Sequence, residues 1–191
     1  GESTFHKYKK LAKLLNDSTE DEILYEIKDP SLNGLLKPKK GDLYIDFEGY
    51  PFLTIGRNFE YLYGIWSNDE NNSFTYYWSD DEEAEKTSFT GFMENLLEHI
   101  KLYPDAKFYH YFSYEITSLR KSAQTFGMYE KELEELIERK CFEDLFKTVN
   151  SSLLIGASSY SLKIVEKLAG ISRTEDLQSG MESIKYFEDY F

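Results

Sequence analysis

The chain has 191 residues, a length that suits one domain of ordinary or slightly large size with a full hydrophobic core. Its single cysteine, Cys141, excludes a disulfide framework and a cysteine zinc cluster, and three histidines argue against a zinc hydrolase built on His ligands. A net charge of -13 weighs against a simple nucleic-acid-binding module, which would show a basic face, but leaves room for a nuclease whose metal ions supply the local positive charge.

No apolar run long enough to cross a bilayer and no basic-then-apolar leader is present, so a cytoplasmic protein in a reducing compartment is expected, with no membrane partner. The start at Gly1 in place of a methionine reads as a piece of a longer chain or a tag remnant. Residues 1–40 read as a helical arm or linker. Ser3 to Leu15 carries Phe5, Tyr8, Leu11, Leu14 and Leu15 at helical spacing, and Ser18 or Thr19 followed by acids predicts a second short helix over Thr19 to Ile27.

The stretch Gly41-Asp-Leu-Tyr-Ile-Asp-Phe-Glu-Gly49 predicts a buried strand, Leu43 to Phe47, flanked by turn residues. Residues two apart in a strand share a face, so Asp46 and Glu48 project from one side while Ile45 and Phe47 face the other. Two carboxylates held this close repel, and a divalent cation relieves the repulsion. An exposed edge of a solvated strand would look the same in isolation. Gly49 allows a close approach by another backbone or a substrate.

Phe59 to Trp66 and Ser73 to Trp78 read as the second and third strands of an antiparallel meander, joined by the turn Asn68-Asp-Glu-Asn-Asn72. Asp80-Asp-Glu-Glu83 opens a helix whose stripe is Phe89, Phe92, Leu96, Leu97 and Ile100. Ala106 to Tyr111 reads as a fourth strand, and Ser113 as the N-cap of a helix from Tyr114 to about Thr125. Glu115 then lies just past the carboxyl end of a strand, where ligand sites of α/β sheets assemble, or serves as a first-turn acid for the helix dipole. Further on, Tyr129 to Lys140 is an amphipathic helix, Phe142 to Val149 a strand or helix, Ser159 to Leu168 a helix, and Gly180 to Phe191 another. Asp144 sits in an apolar setting as a site acid or a helix cap. An aromatic content of 17% serves the core or base stacking.

Five blocks carry a resemblance: Gly41 to Gly49 with Pro51-Phe52, Glu60-Tyr-Leu-Tyr-Gly64, His110-Tyr-Phe-Ser-Tyr-Glu115, Asp144-Leu-Phe, and Tyr160-Ser-Leu-Lys163. From about residue 40 onward the chain resembles the ribonuclease H-like exonuclease domain of the predicted RecB-family nucleases. These are YprB-like members of the DEDD 3′-to-5′ exonuclease superfamily, some fused to a helicase. The resemblance implies an α/β fold with a mixed sheet of about five strands flanked by helices over 41–191. It implies two Mg²⁺ or Mn²⁺ ions, with Asp46, Glu48 and Glu115 as catalytic metal ligands and Asp144 in a supporting role. Tyr50, Phe52, His110 and Tyr111 become candidates to contact a terminal nucleotide of single-stranded DNA or RNA. Tyr50 stands where the family often has an Asp. The family's last motif, a Tyr-Asn-x-x-Asp-like helix, would follow Phe191, and Asp189 is a poor substitute for its acid. The chain on its own is therefore expected to be nearly inactive. The competing expectation is a silent nuclease-like module that binds nucleic acid or a protein partner.

Overall fold

The computed structural model describes residues 4–19, 22–28, 37–53, 56–67, 73–171 and 180–190. The chain divides into two compact units: residues 1–36 with 145–175, and residues 37–144 with 176–191. The turn expected at Asn68 to Asn72 lies outside the described residues.

The first unit holds α1 (Thr4–Asp17), β1 (Tyr25–Ile27), α5 (Leu145–Ser152), β7 (Leu153–Ile155) and α6 (Leu162–Leu168). The helix expected over Thr19 to Ile27 is instead a turn leading into β1, which pairs antiparallel with β7, Tyr25 opposite Ile155. The polar side chains thought to cap a helix close that turn: Thr19 Oγ1 accepts from Glu22 N at 3.0 Å and Ser18 Oγ from Leu24 N at 2.9 Å. Tyr160 tightens the same unit by donating its hydroxyl to the Leu153 carbonyl at 3.1 Å.

The second unit is built on a five-stranded mixed sheet. Its strands are β2 (Leu43–Tyr50), β3 (Phe59–Ser67), β4 (Phe74–Trp78), β5 (Phe108–His110) and β6 (Phe142–Asp144). The order is β4-β3-β2-β5-β6, with the meander antiparallel and β5 and β6 parallel to β2. The mixed sheet expected from the sequence is therefore present, with β2 at its centre. Phe142 to Val149 resolves into both alternatives, β6 and then α5.

One face of the sheet carries the core. Leu43, Ile45, Phe47, Tyr63 and Ile65 pack with Phe89, Phe92, Met93 and Leu96 of α2 (Glu82–Leu102), Leu119 and Ala123 of α3 (Tyr114–Phe126), and Leu133 and Leu136 of α4 (Glu130–Glu138). Each of the Leu, Ile, Phe and Met side chains contributes about 1.5–3 kcal/mol when fully buried. The Asp81 carboxylate caps α2 by accepting from Ala84 N at 2.8 Å, and Glu82, Glu83 and Glu85 sit in the first turn where the dipole favours them. Ser113 stands at the start of α3 but its hydroxyl makes no capping bond; the helix ends at Gly127, which takes the left-handed conformation with φ 63°.

The other face of the sheet receives α7 (Gly180–Tyr190). Phe187 is buried there against Phe59 and Tyr61, its ring stacked on Tyr61 at 4.4 Å between centroids.

Candidate metal and nucleic-acid site

Strand β2 divides its residues by alternation. Ile45 and Phe47 are buried in the core, whereas Asp46 is exposed and Glu48 half-buried on the opposite face, the face that α7 covers. The Asp46 carboxylate accepts a bond from the Phe47 amide at 3.1 Å.

A bulge shapes the surroundings of Glu48. Glu48 pairs with Leu62 and Gly49 with Glu60, which leaves Tyr61 as the extra residue of β3. The bulge puts Tyr61 and Leu62 on one face and turns Glu60 inward. Tyr61 thereby reaches Ser183 of α7 at 2.6 Å and Glu48 at 3.4 Å, a relay in which Ser183 donates to Tyr61 and Tyr61 to Glu48. Desolvation still dominates, so the Glu48 carboxyl is pushed above its ordinary value despite these hydroxyls. A desolvated carboxylate of this kind gains from a cation.

The close approach at Gly49 is made by side chains. A methyl group there would lie 2.1 Å from the Tyr114 hydroxyl oxygen and 2.7 Å from Glu60 Oε2. Tyr114 donates to the Glu60 carboxylate at 2.9 Å and accepts from Asn58 Nδ2 at 2.8 Å. Glu60 is fully buried, and burial, aided by the charge of Glu85, raises its carboxyl above the usual range. Glu85 is held by Arg57 through two bonds of 2.5 and 2.7 Å, and it accepts from the Glu60 amide at 2.9 Å. Only Gly49 itself and the Glu60-Tyr-Leu-Tyr-Gly64 block mark this polar layer in the sequence.

Glu115 lies in the first turn of α3, as expected, but is buried. Its Oε2 stands 3.4 Å from His110 Nδ1, and neither atom has a hydrogen-bond partner. A buried carboxylate oxygen without a hydrogen bond is an arrangement that a cation would complete. Asp144 is buried at the end of β6 and accepts from the Phe112 amide at 3.0 Å, which fixes the backbone between β5 and α3. Tyr111 is half-buried, its hydroxyl pushed up to about 12 by burial and by the charge of Asp144.

Tyr50 and Phe52 lie at the far end of β2. The Tyr50 hydroxyl donates to Glu188 at 2.9 Å and its ring meets Phe187 at 5.5 Å, while Phe52 is exposed and edge-on to Tyr50. Tyr50, Leu53, Phe187 and Glu188 line a recess of about 200 Å³. Asp189 is exposed on α7.

The structure thus puts Asp46 and Glu48 together on one strand face and pairs Glu115 with His110. Among the described residues, no group of three or more His, Cys, Asp and Glu side chains is gathered closely enough to hold an ion. The donors themselves fit Mg²⁺ or Mn²⁺, since all three are carboxylates, one of them with an unsatisfied buried oxygen. No helix of the described residues is long and apolar enough to cross a membrane.

A family model described as RNase_H superfamily matches residues 43–191. Comparison with curated proteins and with solved structures gave no match.

Proposed function

The chain belongs to the ribonuclease H superfamily, and from that premise we propose that it is a metal-dependent nuclease. In this reading it acts as a 3′-to-5′ exonuclease on single-stranded ends of DNA or RNA, in the YprB-like branch of the predicted RecB-family nucleases. It works within a longer cytoplasmic protein whose other domains, a helicase among them, deliver the strand. The observation that carries the reading is the pair on β2: Asp46 open to solvent and Glu48 desolvated beside it, on the central strand of a sheet whose other face is core.

Asp46, Glu48 and Glu115 would hold two Mg²⁺ or Mn²⁺ ions, which when bound supply an activated water and stabilise the leaving oxygen of the phosphodiester. Asp46 is the most accessible of the three. Tyr61 and Ser183 orient Glu48, and Asp144 holds the backbone that leads to Glu115. Tyr50 and Phe52 offer rings at the end of the same strand for the terminal nucleotide.

Calorimetry with Mn²⁺ tests the site directly. Asp46→Ala should abolish binding and Glu115→Ala weaken it less. Equal affinity in wild type and Asp46→Ala would move the ion elsewhere. Mononucleotide release from a 3′-labelled strand, set against a circular one, tests the activity. Release from the linear strand that survives Asp46→Asn would refute the assignment, and cutting of the circle would exclude an end-directed enzyme.

A further inference from the structure

The opposite edge of the same sheet, at the amino ends of the parallel strands, carries a second feature. Lys39 precedes β2, Lys107 precedes β5, and Arg139, Lys140 and Cys141 lead into β6; with Pro104, Asp105 and Ala106 they line a recess of about 190 Å³. Four cations and one acid meet there, in a chain with 35 acidic and 22 basic residues. The imbalance runs against the composition, so it calls for a local cause.

Buried groups build the recess. Asp42 is fully buried, and its two carboxylate oxygens accept from the Lys39 amide at 2.6 Å and the Lys107 amide at 2.9 Å, tying the two approach segments together. Lys140 takes a left-handed conformation with φ 56°, and the Lys107 ammonium donates to its carbonyl. Arg139 is the C-cap of α4 and Lys140 follows it, next to the helix end where the dipole favours cations. Among the described residues, neither of them forms an ion pair.

We propose that this recess is an anion site that takes a single phosphate group. Its volume falls below the roughly 300 Å³ at which pockets begin to hold drug-sized organic ligands. A tetrahedral dianion with part of its hydration fits that volume, and the guanidinium of Arg139 with the ammonium of Lys140 supplies charge-assisted donors. The site stands apart from Asp46 and Glu48 and needs no metal. The phosphate comes either from a free ion or from a nucleic-acid strand, and the two sources are separable.

The test uses the whole chain at low ionic strength with chelator present, titrated with inorganic phosphate. Wild type and Asp46→Asn should bind alike, and Arg139→Gln combined with Lys140→Gln should weaken binding by about tenfold or more. A short oligonucleotide that competes with phosphate assigns the site to a strand's backbone, and one that does not assigns it to the free ion. Absence of phosphate binding or equal affinity in the double variant would each overturn the proposal. Loss of phosphate binding in Asp46→Asn would overturn it too, by assigning the anion to the acid site, whereas failure of the nuclease reading leaves it standing.

Discussion

The two faces of β2 are under different rules. On one, Leu43, Ile45 and Phe47 alternate into a closed apolar layer, and the residues that matter are chosen for volume. On the other, Asp46, Glu48 and Tyr50 meet water, α7 and the bulged Tyr61, and the residues that matter are chosen for charge and reach. The lesson is that one strand can be read twice. Its core face fixes where the backbone lies, and this support holds two carboxylates on the other face.

The comparison is broken most severely at Ile45. Ile45→Asp puts an unpaired charge into the core face, a cost of several kcal/mol against a typical total of about 5–15 kcal/mol. The chain should fail to fold, judged by loss of a cooperative thermal transition. A soluble, cooperatively melting variant would show that the core face does not depend on β2.

Gly49 is where the core face meets the buried polar layer, and the next largest effect falls there. Gly49→Ala drives a methyl into the Tyr114 hydroxyl and Glu60 and should destabilise by about 1–3 kcal/mol. Tyr114→Phe removes the nearest of those atoms, so in that background the same alanine should cost measurably less. Additive effects in chemical denaturation of the single and double variants would show that the contact is not responsible.

A smaller effect separates the buried polar layer by pH. The Glu60 carboxyl is raised above its unfolded value by burial, so the folded state binds the extra proton and stability falls as pH rises from the unfolded value through the raised one. Glu60→Gln keeps the shape and removes that penalty. The variant should melt higher than wild type at pH 8, with the gap closing below the ordinary carboxylate range. A gap that is constant with pH would mean that Glu60 is not the titrating group.

The legible parts of this molecule were those with local periodicity. The alternation in Leu43 to Glu48 and the stripe of α2 named the central strand, its two faces and the helix behind it. The position of Glu115 followed from a strand end and a helix start. What was hidden depends on partners distant in sequence. Strands β1 and β7 are three residues each and find one another across more than a hundred positions, so neither has a pattern of its own. Ser18 and Thr19 serve a turn as readily as a helix start, which is why residues 19 to 27 were misread. The bulge at Tyr61, the pairing of Glu115 with His110, and the occupation of the space above Gly49 by Tyr114 arise only when separate elements pack.

The smallest expected effect on the fold is at Asp46, and it sharpens the contrast between the two faces most. The side chain is exposed and accepts from the Phe47 amide, a bond that an asparagine oxygen can also accept. Asp46→Asn should therefore melt within about 0.5 kcal/mol of wild type in the absence of metal. Added Mn²⁺ should separate the two proteins. An ion that binds only the folded state raises the melting temperature in proportion to the logarithm of its concentration once above Kd, so wild type should shift upward with Mn²⁺ while Asp46→Asn stays in place. Equal shifts would place the ion away from β2. A large loss of stability in Asp46→Asn without metal would mean that the solvent face, too, is held by packing, and the division of β2 into a structural and a chemical face would fail.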